Sequence, residues 1–147
     1  VNARNLKRIL KKFKGAHKFL PKPVFKQHTN ASSIGLIYFG STEAAMQESL
    51  DQLSIAGFPI DAMRIRSFPF GAEVWDFIDQ HERIFLVEQN RDAQMKTLIV
   101  SEGSVNPQKF ISILCFDGAP ITANFISESI LEIISENSIS KTAEEMK

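Results

Sequence analysis

Residues able to do chemistry are few in this 147-residue chain, and their densest cluster is in VEQNRDAQM, Val87 to Met95. There an apolar run gives way to Glu88, Gln89, Asn90, Arg91 and Asp92. Two carboxylates in one place can divide acid and base roles when their environments differ. The same residues also suit scaffolding: Asn90 or Asp92 can cap a helix, and Glu88 and Arg91 can pair locally or across an interface. No nucleophile with an obvious base lies nearby, so the second reading is preferred and no catalytic residue is assigned. Gly40, Ser41 and Thr42 form the other candidate, because backbone N-H groups at a helix start can receive an anion. The chain contains neither G-x-G-x-x-G nor G-x-x-x-x-G-K-[ST], so dinucleotide and P-loop chemistry lack their defining residues. Ordinary capping by a hydroxyl is the preferred reading at this point.

The remaining reactive types are isolated. His17, His28 and His81 have no second ligand at metal-binding spacing, so no metal site is expected. Cys115 is the single cysteine and lies in an apolar run, which fits a small buried hydrophobe in a reducing compartment. Phe68-Pro69-Phe70 reads as a packing loop whose two rings must be covered by something.

These residues need elements to position them, and hydrophobic periodicity supplies the outline. With 44% hydrophobic and 23% charged residues, the chain is globular and long enough for a core without disulfides. Ile34 to Phe39, Ile60 to Arg66, Ile84 to Val87 and Ile111 to Phe116 read as strands. Each is followed by helical spacing: Met46, Leu50 and Leu53; Val74, Phe77 and Ile78; Met95, Leu98 and Ile99; then Ile126, Ile130, Ile133 and Ile134. That alternation predicts an α/β fold, three layers α/β/α with a mainly parallel sheet and right-handed crossovers. The 30s and 80s strands are nearly continuous apolar runs, as expected of central strands. Met63 and Ile65 alternating with Arg64 and Arg66 predict an edge strand. Placing the 60s strand on one side of the 30s strand and the 80s strand on the other creates a topological switch point, with both candidate stretches at its carboxyl end.

Charge divides the chain. Residues 1 to 42 contain nine Lys or Arg and no acid, and the rest carries eight basic and seventeen acidic residues, giving +9 and −9. Leu6, Ile9, Leu10 and Phe13 at helical spacing predict a basic amphipathic helix over residues 3 to 19, ended by Pro21 and Pro23. Beyond it the chain is extended, with room for a short strand at Val24 to Lys26. Docking of the apolar stripe on a neighbouring domain or subunit is preferred over nucleic acid or membrane binding, since aromatic residues suited to base stacking are not interleaved with the lysines. The organisation expected is a connector helix and linker over 1–30, the α/β domain over 31–136 and a polar tail over 137–147. A chain opening on Val1 reads as a piece of a longer protein, and the lack of an apolar span or signal core places it in the cytoplasm.

Four stretches in this order, GLIYFGSTEAAMQESLDQL, IRSFPF, HERIFLVEQNRDAQM and CFDGAPITANFI, resemble the C-terminal, transketolase C-terminal-like domain of 2-oxoacid:ferredoxin oxidoreductase alpha subunits. The resemblance covers roughly residues 5 to 132. It implies membership of a complex that oxidatively decarboxylates a 2-oxoacid such as 2-oxoglutarate or pyruvate, with coenzyme A, to an acyl-CoA and reduced ferredoxin. Thiamine diphosphate, magnesium and iron-sulfur clusters would act there, held by other domains and subunits, so this domain is expected to bind none of them and to be inactive alone. Its implied partners are the preceding domain, the beta subunit and, through the complex, ferredoxin; a homodimer is also compatible, and neither nucleic acid nor membrane is expected. Glu88, Asn90, Arg91, Asp92, Phe68 and Phe70 are then positioning or interface residues. The family pattern commonly has glycine where this chain has Ala93, which argues against a tight ligand cradle at that point. The competing class is a free-standing flavodoxin-like domain binding a nucleotide or phosphate between Gly40 and Glu88, or a basic-helix module for nucleic acid or membrane surfaces.

Overall fold

The computed structural model describes residues 2–16, 19–27 and 32–145, those beyond Glu136 as backbone alone. His17 and His28 fall outside the described residues. Helix α1 (Asn2–Ala16) is followed by β1 (Val24–Lys26), β2 (Ile34–Phe39), a short 3-10 turn at Gly40–Thr42, and α2 (Glu43–Ile55). Then come β3 (Asp61–Ile65), α3 (Ala72–Gln80), β4 (Arg83–Glu88), α4 (Gln94–Gly103), β5 (Phe110–Leu114) and α5 (Ala123–Glu145).

The five strands lie in the order β1-β3-β2-β4-β5, parallel except for β1. From β2 the chain steps outward to β3, then reverses across the sheet to β4 and β5. Because each crossover is right-handed, a reversal of direction moves the connecting helix to the opposite face. α2 therefore packs on one face and α3 and α4 on the other, while α5 returns to α2. Side-chain alternation matches: Leu36, Tyr38, Phe85 and Val87 join Met46, Leu53, Ile126 and Ile130. Ile37, Ile84 and Leu86 instead join Val74, Phe77, Ile78 and Ile99. The expected three-layer fold is thus observed, with the 60s and 80s strands on opposite sides of the 30s strand as expected.

The outline differs from expectation at β3 and at the last strand. β3 is not the sheet edge: β1 pairs with it antiparallel, Val24 opposite Arg64 and Lys26 opposite Ala62, so the basic alternation in β3 has another cause. Arg64 shares a face with Glu43, lying 3.5 Å from its carboxylate, and donates to the Gly40 carbonyl at 3.4 Å. The last strand closes at Leu114, leaving Phe116 exposed outside the sheet. The polar segment after residue 136 continues α5 as far as Glu145.

At the amino end of the strands lies a pair that spacing alone could not reveal. His81 is buried; its Nδ1 donates to the Phe77 carbonyl at 2.7 Å and its Nε2 lies 3.4 Å from Asp61, twenty positions away. The Phe77 and His81 rings stack 4.2 Å apart and press on the backbone of β2 at Gly35. A Cβ there would meet Phe77 Cε1 at 2.9 Å and His81 Cγ at 3.0 Å. Gly35→Ala should therefore lower stability by about 2 kcal/mol, a fall in Tm of roughly 4–8 °C in thermal unfolding, since a buried ring must shift to admit the methyl group.

Candidate functional site

At the carboxyl end of the sheet, β2 and β4 diverge around a crevice of about 400 Å³. Phe39, Met95 and Leu98 form its apolar wall, and Ser41, Thr42, Gln89, Asn90 and Gln94 its polar one. Among the described residues, no charged one lines it. Gln89 bridges the two strand ends, its Nε2 donating to Ser41 Oγ at 2.9 Å and Thr42 Oγ1 at 3.2 Å. These hydroxyls were expected to cap α2. They do not: Thr42 stands at the N-cap without a side-chain bond to the helix, because the preceding 3-10 turn puts helical backbone where a capping residue needs extended backbone. Gly40 enters that turn at φ +61, the left-handed conformation in which glycine carries no steric cost.

Glu88, at the end of β4, is fully buried. Its carboxylate accepts from the Met95 N-H at 2.7 Å, the Lys96 N-H at 3.1 Å and Asn90 Nδ2 at 2.8 Å. It therefore does what a capping side chain would do, but from the preceding strand. Negative charge at a helix N-terminus satisfies otherwise unpaired donors and interacts favourably with the helix dipole. Asn90 does not cap α4 as its N-cap residue either; its Oδ1 accepts from the Asp92 and Gln94 N-H groups and braces the loop. The local Glu88–Arg91 pair is replaced by Arg91 with Asp92, 2.8 Å apart on the exposed loop tip.

The N-cap position itself belongs to Ala93, at φ 49 and ψ 49. Alanine thus takes the left-handed conformation that glycine adopts freely. Thr97 N-H and Oγ1 both donate to the Ala93 carbonyl. Phe70 is buried with its ring edge-on to Trp75, while Phe68 remains exposed and touches Phe13 of α1. The packing loop is therefore half covered.

Beside the crevice, Tyr38 donates to Glu43 at 2.7 Å, and Lys26 and Arg64 approach the same carboxylate at 3.8 and 3.5 Å. Burial, then the Glu43 carboxylate, push the phenol well above its ordinary value. Cys115 is buried as expected, and its thiol is raised by burial and by Asp117, which keeps it protonated.

Among the described residues that line the crevice, none pairs a nucleophile with a base. The hydroxyls and carboxamides of the crevice can orient a neutral polar group; the charged residues hold the backbone. A crevice lies at the switch point that strand order implies, but spacing did not reveal the Gln89 bridge, because a bridge between two strand ends depends on their adjacency.

No protein-family model matches the chain. Over 105 residues, 70% of its length, it is 28% identical to subunit alpha of 2-oxoacid:ferredoxin oxidoreductase 2 from Aeropyrum pernix, spanning 16% of that protein. The alpha chain of a probable 2-oxoacid ferredoxin oxidoreductase from Thermoplasma acidophilum shares the fold over 78% of this chain and 97% of its own, with TM-score 0.51 and 23% identity. This chain resembles the alpha subunit of a 2-oxoacid:ferredoxin oxidoreductase. Within a 2-oxoglutarate:ferredoxin oxidoreductase from Magnetococcus marinus, solved with 2-oxoglutarate, coenzyme A and succinyl-CoA bound, it matches 21% of the chain with TM-score 0.70, 22% identity and 81% of its own length covered. The likeness that the four sequence stretches carry therefore recurs in both sequence and fold, over a small part of the Aeropyrum and Magnetococcus chains and nearly all of the Thermoplasma chain.

Two outcomes follow from the loop. Glu88→Gln should cost about 2 kcal/mol in urea unfolding, because an amide donor then faces helix N-H groups and the charge is lost. Ala93→Gly should add about 0.5 kcal/mol, the relief of a left-handed alanine exceeding the added chain entropy. A second measurement addresses Tyr38, the single tyrosine. Its absorbance at 295 nm should titrate with a midpoint clearly above 10. Since the folded value is raised, its contribution is complete below about pH 10 and is lost as pH rises through the folded value; Tyr38→Phe should remove that alkaline loss.

Proposed function

We propose that the chain is the C-terminal, transketolase C-terminal-like domain of a 2-oxoacid:ferredoxin oxidoreductase alpha subunit and serves positioning and assembly. The complex would convert a 2-oxoacid and coenzyme A to an acyl-CoA, passing electrons to ferredoxin. The observation that carries the domain-level role is the use made of Glu88. The Glu88 side chain is buried against α4 and cannot reach into the adjoining crevice without uncapping the helix.

An iron-sulfur cluster does not fit the thiolates present. An iron-sulfur cluster held by cysteines needs four thiolates and the chain has one; no group of three or more His, Cys, Asp or Glu among the described residues could hold a metal ion. Thiamine diphosphate with its magnesium, and the clusters, belong in this reading to other domains and subunits. In this reading Glu88, Asn90 and Phe70 shape the domain, while Arg91, Asp92 and Phe68, exposed at the loop tips, meet the preceding domain or beta subunit. Segments 1–30, 31–136 and 137–147 serve as connector, domain and tail. No helix among the described residues is long and apolar enough to cross a membrane, and a cytoplasmic setting suits the proposed chemistry.

The test is reconstitution of the chain within its alpha subunit, with the beta subunit. The assembled protein should reduce ferredoxin or methyl viologen when given 2-oxoglutarate or pyruvate and coenzyme A, and the isolated chain should not. Arg91→Ala with Asp92→Ala should weaken subunit retention severalfold while activity per assembled complex is unchanged. Turnover by the isolated chain, or a thermal shift of that chain with thiamine diphosphate, coenzyme A or flavin mononucleotide, would overturn the assembly role.

A further inference from the structure

Helix α1 is an amphipathic element without a floor. Leu6, Ile9, Leu10 and Phe13 are 53 to 61% exposed, and the ring contact of α1 with the body is Phe13 against Phe68, 6.4 Å between centroids. Six cations and no anion accompany these residues between positions 2 and 16. An exposed stripe of this kind marks an interaction surface. Two such helices cannot readily cover one another, since their flanking lysines and arginines would be juxtaposed.

The body offers the complementary surface. Between β1 and α3 lies a groove of about 210 Å³ with Phe25 and Phe77 as its apolar floor and Glu73 and Asp76 on its rim. Phe25 is 39% exposed, on the edge strand of the sheet. The rim already holds one cation of the N-terminal segment: Lys22 Nζ lies 2.9 Å from Glu73, lowering the carboxyl of Glu73 and raising the ammonium through their hydrogen bond. The connector is also tied at Pro21, whose carbonyl accepts from Ser67 Oγ at 2.9 Å. With Pro21 and Pro23 restricting that segment, α1 lies against Phe68 rather than in the groove of its own body. A second copy presents the same groove, its Glu73 paired with its own Lys22 and its Asp76 exposed, and its residues 43 to 147 carry −9 against the +9 of residues 1 to 42.

We propose that two copies of this chain exchange α1, the apolar stripe of each covering the Phe25–Phe77 groove of the other while its cations face Glu73 and Asp76. The arrangement closes as a two-fold dimer, since both copies give and receive the same element. It does not depend on the oxidoreductase reading, and each can fail without the other.

Crosslinking tests it. In a Cys115→Ser background, one preparation carries Leu10→Cys and a second, of distinguishable mass, Phe25→Cys; Gln80→Cys, at the groove margin and exposed, repeats the experiment should the strand variant not fold. Mixed and oxidised, the two should give the mixed disulfide, formed only when the Cα atoms come within about 7 Å. Light scattering of the unsubstituted chain should show a dimer whose dissociation constant rises at least about tenfold from 50 to 500 mM salt, and Leu10→Asp should give a monomer. A Leu10→Cys chain linking mainly to itself would overturn the proposal in favour of helix pairing. A monomer without mixed disulfide would also overturn it, and binding of that monomer to phosphatidylserine vesicles would assign the stripe to a lipid surface.

Discussion

The carboxylate of Glu88 ends the central strand β4 buried from bulk solvent, and the N-terminus of α4 makes that tolerable. Two backbone N-H groups and the Asn90 amide supply the hydrogen bonds that an isolated buried charge would lack. One interaction thus sets the direction in which α4 leaves the sheet, and Asn90 and Ala93 shape the loop between. The crevice wall formed by Gln94, Met95 and Leu98 is placed by that exit. A charge that reads as chemistry is in fact the joint on which the candidate site is built.

The two ends of the sheet do different work. At the amino end, Gly35, Phe77, His81 and Asp61 pack without space between them, and the buried imidazole is held from two directions. At the carboxyl end, β2 and β4 separate because their crossovers leave for opposite faces, and Gln89 spans the gap rather than filling it. Rigid packing at one end and a bridged opening at the other is the division expected of an open α/β sheet, in which ligands and partners meet the carboxyl ends of strands. The uncharged lining favours contact with neutral polar groups over phosphate, whose recognition would draw on a cation as well as backbone N-H groups.

Charge segregation extends the same logic to the surface. A basic helix with an exposed apolar stripe and an acidic body with a small apolar groove are each incomplete, and the connector between them is held at Pro21 and Lys22.

Periodicity, by itself, was enough for the alternation of strands and helices, the central place of the 30s and 80s strands, the switch point and the burial of Cys115. These depend on local apolar patterns whose period differs between strand and helix. The family likeness was also legible, because it rests on ordered short stretches of residues. Only the tertiary structure decided what the polar residues do. β1 covers β3 and removes it from the edge; Glu88 reaches forward seven residues to Met95; Gln89 meets hydroxyls forty-seven and forty-eight positions away; His81 meets Asp61 at twenty. Hydrogen bonds of polar side chains follow adjacency in space, which strand order and crossover hand create and which no local spacing encodes.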